Sequence, residues 1–335
     1  MSEIMSQTVT IPATAKLKKS SYAAWSFLTG VAKDFWKDGH WEIEDDFDTI
    51  IHEKPEPVAV KPEIPKPAEI TEEPEKYLDP DVKFPWKAAD RIELLEKIWG
   101  EQQLLPMDTE ITETLLKPLN LDSNDRVLDL AAGLGARMRR ATALFGVYIA
   151  GKEPNPEIAK RGMQIMVKTG LAKKLTIDAY DPNNLKDERP YNCIMFREIL
   201  CNVQDKAKFI KTLSEYCKPN AQIAFTDFIL VNRMHGAKLL EELGHFEAGF
   251  SPMTLKELSP MLSERGFVLR ISEDLTDQYK EAVQNGLLQF IKFLKSAELD
   301  EKTKELISQE ITFISKRLEA LEKDIKFYRF YGTKN

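Results

Sequence analysis

The stretch Val127-Leu-Asp-Leu-Ala-Ala-Gly-Leu-Gly135 decides the fold of this chain. A short apolar run ends in Asp129, small residues follow, and a helical pattern begins directly after them at residues 137–145. Backbone N–H groups at the start of a helix have no intrahelical partner, and glycine lets a ligand approach the main chain closely. A strand–turn–helix of this kind is typical of a βαβ unit that binds a nucleoside-containing cofactor. Tight packing of a helix on a strand would use the same glycines, so the turn alone does not establish a site.

Helical and strand patterns alternate on both sides of this turn. The predicted helices are 88–99, 108–116, 137–145, 156–169, 206–217, 255–265 and a long polar segment at 296–324. The predicted strands are 126–130, 147–151, 175–179, 193–196, 222–228, 268–272 and a final alternating segment at 325–331. This order predicts an α/β fold, a mostly parallel sheet with helices on both faces.

The first 85 residues differ in composition from the rest of the chain. Residues 1–52 form an extension in which apolar side chains recur at helical spacing over 21–36. This stretch includes Trp25 and Trp36. Residues 53–85 are rich in Pro, Glu and Lys, which favours an extended linker. The compact domain is therefore predicted at 86–335. The helix at 21–36 either docks on this domain or contacts a membrane surface or a partner protein.

Composition and charge exclude several function classes. The net charge of −7 gives no strongly basic face, so nucleic acid is not the expected partner. Three cysteines without CxxC spacing predict neither a zinc site nor a disulfide framework; no metal is expected, and a reducing, cytoplasmic location is. No apolar run reaches the length of about 18 residues that a membrane span needs, and the secretory signal pattern is absent. None of these features decides the oligomeric state.

Three acids fall at the carboxyl ends of successive predicted strands. Asp129 closes the first strand, Glu153 closes the second, and Asp181 follows the third. Ligands of open parallel sheets lie at this edge, and an acid about 20 residues past the glycine turn suits a hydrogen bond to ribose hydroxyls. We therefore expect Glu153 to bind ribose. Asp181 is placed to accept from an exocyclic amine, with Tyr180 or Ile177 near the base.

The turn favours one class of cofactor over another. Pyrophosphate binding favours three glycines and no acid at the strand end, whereas here Asp129 ends the strand and Arg137 follows in place of the third glycine. The carboxylate would repel a diphosphate, but it can support a cationic sulfonium or an amino-acid ammonium group. We therefore expect S-adenosyl-L-methionine rather than NAD, and a dinucleotide-dependent enzyme remains the weaker alternative.

These residues carry a family resemblance from about residue 95 onward. The stretch 127–135 resembles the glycine-rich motif of class I S-adenosylmethionine-dependent methyltransferases, with Ala131 at the position of its first glycine. Residues 218–227 are similar to the segment before the fifth strand of that family, and 265–267 to its AGF motif. The resemblance implies a Rossmann-like, doubly wound, seven-stranded sheet with an antiparallel C-terminal strand. The expected cofactor contacts are Asp129, Ala131, Gly133, Gly135, Glu153, Tyr180, Asp181 and Arg197.

Within that superfamily the chain most resembles the phosphoethanolamine N-methyltransferase group, through segments 99–105, 197–200, 272–277 and 331–335. That group pairs a lid tyrosine with a histidine to deprotonate the amine, and those positions fall here on Gln103 and Asn202. Neither is a general base near neutral pH, so phosphobase specificity does not carry over. His235 and His245 could substitute if their segment folds over the pocket.

We expect methyl transfer to nitrogen or oxygen of a small-molecule acceptor, by in-line displacement. The candidate catalytic residues are Gln103, Arg197 and Asn202, with Glu198 and Asp227 as further orienting groups. The helices at 88–118 and the segment 230–255 would close over the acceptor.

Two points stay open at this level. Arg197 either pairs with an anionic group of a ligand or forms a salt bridge to Glu198 or Asp129. The chain itself is either such an enzyme or a methyltransferase-like interaction protein with weak or no activity, because the expected base is missing.

Overall fold

A computed structural model describes residues 84–187, 190–233 and 249–335. The predictions for the helix at 21–36, for the linker up to residue 83, and for His235 and His245 lie outside the described residues. Among the described residues, Phe84–Trp86 and Leu294–Glu298 group separately from Lys87–Phe293 and Leu299–Asn335.

The strands match the predicted order. They are β1 (Phe84–Trp86), β2 (Arg126–Asp129), β3 (Tyr148–Glu153), β4 (Leu175–Ala179), β5 (Tyr191–Arg197), β6 (Cys217–Leu230), β7 (Phe267–Asp274), β8 (Ala297–Leu299) and β9 (Ile325–Lys334). The helices are α1 (Arg91–Trp99), α2 (Asp108–Leu116), α3 (Ala136–Phe145), α4 (Pro156–Lys168), α5 (Lys206–Tyr216), α6 (Leu255–Ser263), α7 (Thr276–Lys295) and α8 (Glu301–Lys323). Short 3₁₀ turns occupy Pro182–Asn184 and Leu200–Asn202.

Seven of these strands form one sheet in the order β4-β3-β2-β5-β6-β9-β7. The strands from β4 to β6 are parallel, and β9 runs antiparallel to both β6 and β7. The prediction of a doubly wound, mostly parallel seven-stranded sheet with an antiparallel C-terminal strand is confirmed. The strands β1 and β8 form a separate two-stranded sheet.

The helix α7 was missed by the sequence analysis, although its periodicity is visible. Tyr279, Val283, Leu287 and Phe290 recur every three or four residues and are buried on one face. The predicted segment 296–324 is also not one continuous helix, since its first residues form β8. Asp300 then caps α8 by accepting a hydrogen bond from the Thr303 backbone N–H at 2.8 Å, which fixes the helix start.

The chain order reverses between β2 and β5, which makes their carboxyl ends the expected ligand-binding edge. Aromatic packing fixes the centre of the sheet behind this edge. The ring centroids of Phe196 and Phe225 are 4.5 Å apart, and those of Phe225 and Phe330 are 4.7 Å apart. Stacked pairs of this kind contribute about 0.5–1.5 kcal/mol each beyond their buried area, so β5, β6 and β9 hold the strand ends in register.

Candidate cofactor and acceptor site

The glycine turn has free space beside Gly133 and is packed against α4 at Gly135. Gly133 has a φ of +54°, and a Cβ built on it would meet no atom within 4 Å. A Cβ at Gly135 would lie 2.6 Å from Cε of Met166, and one at Gly162 would lie 2.7 Å from the Gly133 carbonyl oxygen. Gly135 and Gly162 therefore let α4 pack closely on the turn. Gly133 leaves the main chain accessible to a ligand.

The carboxylate of Glu153 lies beside this open glycine. Its Oε2 accepts a hydrogen bond from the Gly133 N–H at 2.9 Å, and its Oε1 accepts one from the Asn155 N–H at 3.0 Å. Glu153 is 8% exposed. Burial raises the pKa of this carboxyl to about 7, against the opposing effect of the two backbone hydrogen bonds.

Asp129 is engaged inside the protein rather than on the wall of the cleft. Its two carboxylate oxygens accept hydrogen bonds from Nη2 and Nε of Arg137, at 2.7 and 3.0 Å. Both side chains are buried, so the guanidinium neutralises the charge that was expected to face a cationic cofactor. Arg137 also donates to the Ala131 carbonyl oxygen at 2.7 Å. Arg137, at the position of the third glycine, therefore stabilises the turn from inside the protein.

The third acid, Asp181, is exposed and caps a short turn. Its Oδ1 accepts from the Asn183 N–H at 2.9 Å. The neighbouring Tyr180 donates its hydroxyl to the Leu130 carbonyl oxygen at 2.9 Å, which ties the end of β4 to the end of β2. Of the three predicted acids, Glu153 alone is among the described residues that line the cleft. Cofactor binding by Asp129 and Asp181 stays a prediction.

A cleft of about 290 Å³ opens at the carboxyl ends of β2, β3 and β5. Of the predicted site residues, Ala131, Gly133, Glu153, Arg197 and Asn202 line it. This volume, the open glycine and the buried carboxylate at the end of β3 fit a nucleoside-containing cofactor.

Arg197 connects the end of β5 to the start of α2. Its Nη1 donates to Oδ1 of Asp108 at 2.7 Å, and its Nη2 donates to the Pro106 carbonyl oxygen at 3.1 Å. A longer contact of 3.5 Å joins Nη2 to Glu198. Of the alternatives for Arg197, the salt bridge to Glu198 is therefore present, and Asp108 rather than Asp129 is the second partner.

Glu198 also lines the cleft, and its backbone conformation is strained. Its φ is +55°, which is uncommon for a residue with a side chain. Its carboxylate lies between two guanidinium groups, with Oε1 at 3.5 Å from Arg197 and Oε2 at 3.4 Å from Arg317. The backbone turn thus points a buried carboxylate toward the arginines of the cleft.

Asp227 stabilises the turn that carries Asn202, a residue of the cleft wall. It is buried and accepts hydrogen bonds from the backbone N–H groups of Leu200, Cys201 and Phe228, and burial raises its pKa to about 7. These bonds hold the turn that carries Asn202 to the cleft. The role of Asp227 in the structure is therefore to position this turn, since it does not itself line the cleft.

A glutamine of the predicted lid segment lines the cleft, and the catalytic role of Gln103 stays a prediction. Gln102, with a φ of +60°, lines the cleft, whereas Gln103 does not. The Oε1 atom of Gln102 accepts a hydrogen bond from Arg139, and its backbone N–H donates to Glu96 at 2.9 Å.

A second, mostly apolar cavity of about 40 Å³ adjoins the cleft. Six residues line both spaces: Arg91, Leu95, Leu104, Leu105, Phe313 and Arg317. We call it the apolar cavity. Its other walls include Trp99 of α1, Val283 of α7, and Ile314 of α8.

The sequence analysis missed Arg317, which lies at the junction of the cleft and the apolar cavity. Its guanidinium carbon is 4.4 Å from the centroid of Phe313 and 4.7 Å from that of Phe228, distances typical of cation–π contacts. It also hydrogen-bonds with Tyr279, whose pKa is raised by burial. In sequence, Arg317 is one of several basic residues of a polar helix, and nothing there marks it as buried.

Neither a metal-binding cluster nor a membrane-spanning helix occurs in the described part of the chain. No group of three or more His, Cys, Asp or Glu side chains in them is arranged to hold a metal ion. In the same residues, no helix combines the length and the apolar character needed to cross a membrane.

Comparison with known proteins places this geometry among methyltransferases. The chain is 21% identical over 193 residues to phosphoethanolamine N-methyltransferase 1 of Arabidopsis thaliana, which covers 57% of this chain and 38% of that protein. It is 20% identical over 196 residues to phosphoethanolamine N-methyltransferase of Plasmodium falciparum, covering 58% of this chain and 72% of the relative. The chain thus spans well under half of the length of the plant relative.

A similar fold occurs in Haemonchus contortus phosphoethanolamine N-methyltransferase 2, solved in complex with phosphomonomethylethanolamine and S-adenosylhomocysteine. The TM-score is 0.63 at 17% identity, over 72% of this chain and 56% of that chain. A family model described as a methyltransferase domain matches residues 100–270. This match covers more than half of the sequence and includes the glycine turn, Glu153 and Asp227, so the chain belongs to the methyltransferase domain family.

Proposed function

We propose that this chain transfers a methyl group from S-adenosyl-L-methionine to nitrogen or oxygen of a small-molecule acceptor. The observation that carries the proposal is the buried carboxylate of Glu153 beside the open Gly133, at the edge of the sheet where ligands of this fold bind. Bound there, the cofactor would supply an electrophilic methyl group, which leaves sulfur as the acceptor lone pair forms its new bond to carbon.

The residues of this chain would hold, orient and enclose the reactants. Glu153 would accept hydrogen bonds from the ribose hydroxyls, and the open side of Gly133 would admit the amino-acid portion of the cofactor to the main chain. Leu104 and Leu105 bring apolar surface to the cleft and would exclude water from it. Fixing two reactants in line supplies about 7–11 kcal/mol of barrier reduction in favourable cases.

Positioning would suffice without a strong base in this site. Neither lysine nor histidine is among the described residues that line the cleft or the apolar cavity. Arg197 and Asn202 remain the proposed orienting residues on the wall of the cleft, and Gln103 remains proposed from the lid. An acceptor that carries a free lone pair at neutral pH would react without prior deprotonation.

Isothermal titration with S-adenosylhomocysteine tests the proposal. We expect one site per chain, and an increase in melting temperature with S-adenosylhomocysteine but not with NAD, as mass action requires for a ligand of the folded state. Titration of a folded sample that releases no heat at high micromolar ligand would refute it. An increase with NAD alone would favour the dinucleotide alternative. The comparisons give no support to the inactive interaction protein.

We also propose a reducing, cytoplasmic location, which is supported by the three cysteines, Cys193, Cys201 and Cys217, because none of them forms a disulfide. Contact of the segment at 21–36 with a membrane surface or a partner remains a proposal from its sequence pattern. Limited proteolysis with and without lipid vesicles would test that contact.

A further inference from the structure

The helix α1 and residues 100–107, which we call the lid, form part of the cleft wall beside the glycine turn. Gln102 of the lid lines the cleft together with Gly133 and Glu153. Apolar side chains of the lid pack on the turn in one buried cluster, which contains Ile92, Leu95, Leu104 and Leu134. A cofactor bound beside Gly133 would therefore have the lid as one of its walls.

A continuous chain of hydrogen bonds joins the lid to the helices on both sides of it. Nη2 of Arg161 on α4 donates to Oε2 of Glu96 on α1 at 2.7 Å. Oε1 of Glu96 accepts from the backbone N–H of Gln102 at 2.9 Å. Oε1 of Gln102 accepts from Nη2 of Arg139 on α3, and Nη1 of Arg139 donates to the Leu134 carbonyl oxygen at 3.0 Å. We call the side chains of Glu96, Gln102, Arg139 and Arg161 the latch.

Gln102 is the latch residue that also lines the cleft, whereas Glu96, Arg139 and Arg161 do not. Its left-handed backbone, with a φ of +60°, is uncommon for a residue with a side chain. In this conformation its backbone N–H bonds to Glu96 of α1, while its side chain bonds to Arg139 of α3. One residue thus connects the cleft wall to both halves of the latch.

The other partner in this bond, Arg139, depends on neutral oxygens. Its hydrogen bonds go to the Gln102 side chain and to the Leu134 carbonyl oxygen. Burial lowers the pKa of its guanidinium, and in the described part of the chain no carboxylate opposes this effect. Hydrogen bonds from a charged donor are stronger than those between neutral groups. The bond from Arg139 to Gln102 is therefore a substantial contact between the lid and α3.

From these contacts we infer that Gln102 is a positioning residue that holds the lid closed and thereby sets the rate of cofactor exchange. The inference rests on the proposed function, since it describes how the same site is filled and emptied. Methyl transfer converts the cofactor into S-adenosylhomocysteine, which leaves the cleft only after the latch has opened. Entry of the next cofactor molecule has the same requirement.

A latch that closes the free and the bound protein equally changes both rate constants in the same direction. Gln102→Ala removes the bond to Arg139 and raises the open fraction in both forms. Association and dissociation of S-adenosylhomocysteine should then both become about tenfold faster, while the Kd changes by less than about twofold. A merely structural defect would speed dissociation alone and weaken affinity.

Surface plasmon resonance on the full-length protein, with S-adenosylhomocysteine as the analyte, measures both rate constants. Gln102→Glu keeps an acceptor oxygen for Arg139, so its rate constants should be native or slower. Arg139→Met removes the same bond from the other side and should reproduce both increases. The matched control is Gln164→Ala, because Gln164 is exposed on α4 and does not line the cleft. A near-native Kd shows that a variant is folded.

The outcomes separate this inference from the proposed function. Native rate constants in Gln102→Ala and Arg139→Met, or faster dissociation with unchanged association, would overturn the inference while cofactor binding still stands. Rate constants in Gln102→Glu as fast as those in Gln102→Ala would overturn it as well, since the acceptor oxygen would then not matter. A native protein that binds no S-adenosylhomocysteine would overturn the proposed function and, with it, the inference.

Discussion

Replacement of Glu153 by Gln should raise stability at alkaline pH and weaken cofactor binding. Burial raises the pKa of this carboxyl from 4.5 to about 7, so the unfolded chain ionises first as the pH rises. The folded protein then loses stability between pH 4.5 and about 7. A shift of this size corresponds to about 3 kcal/mol. Glutamine does not ionise, and Glu153→Gln therefore lacks this loss.

The change in the free energy of unfolding is best measured as a difference between two pH values. The amide has one carbonyl oxygen, whereas the carboxylate accepts from both the Gly133 and the Asn155 N–H groups, so one of these bonds is lost at a cost of about 1–3 kcal/mol. At pH 4.5 the native side chain is itself protonated and also has one carbonyl oxygen, so this cost arises only as the carboxyl ionises and is already contained in the pKa of about 7. The stability of Glu153→Gln relative to the native protein should therefore increase by about 3 kcal/mol from pH 4.5 to pH 8.

Cofactor affinity should change in the opposite direction. Hydrogen bonds to an ionised carboxylate contribute about 1.5–3 kcal/mol, so Glu153→Gln should bind S-adenosylhomocysteine about ten- to a hundredfold more weakly at pH 8. For the native protein, affinity should rise with pH through about 7, since the ionised carboxylate is the better acceptor.

Urea unfolding at several pH values gives the stability, and calorimetric titration gives the affinity. Glu157→Gln is the control, because Glu157 is exposed in the first turn of α4 and the substitution is the same. A relative stability that stays constant with pH would refute the buried, neutral carboxyl. Native-like affinity in Glu153→Gln would refute its contact with the cofactor.

Three further substitutions test other parts of the site. Arg137→Met leaves Asp129 buried without its cation and should lower the free energy of unfolding by about 3–5 kcal/mol; urea unfolding with a loss below about 1 kcal/mol would contradict a buried ion pair. Gly162→Ala places a Cβ 2.7 Å from the Gly133 carbonyl oxygen, so both stability and S-adenosylhomocysteine affinity should fall; a variant that keeps native affinity by calorimetry would show that the turn tolerates movement. Asp227→Asn presents an amide group where three backbone N–H groups now meet a carboxylate. It should lower the melting temperature, equivalent to a loss of about 1–3 kcal/mol, and an unchanged value would exclude this role.

The sheet could be predicted from sequence because its determinants are local. Parallel strands covered on both faces appear as short apolar runs, and β5 is such a strand, with Cys193 to Arg197 all buried. Turn residues mark where each run ends. The strand-end position of Glu153 followed from the same local pattern, without any knowledge of tertiary contacts.

The charge arrangement could not be predicted, because it depends on residues distant in sequence. Glu198 and Arg317 are 119 positions apart, yet Nη1 of Arg317 lies 3.4 Å from Oε2 of Glu198. Arg137 lies only eight positions from Asp129, but whether its side chain turns inward or toward solvent depends on packing around α3. The left-handed backbone at Gln102 was not predicted either, because amino-acid type gives little warning of such a conformation.

The placement of β9 between β6 and β7 affects the order in which strands of the sheet can pair during synthesis. Translation delivers β7 before the strand that pairs with it, so β7 has no neighbour in the sheet until β9 has been synthesised. The five adjacent strands that present the glycine turn need no residue from β9 to pair with one another. N-terminal parts of a chain fold first during synthesis. The part of the cleft formed by the glycine turn and Glu153 can thus fold on the ribosome. The apolar cavity forms only after α7 and α8 have been synthesised.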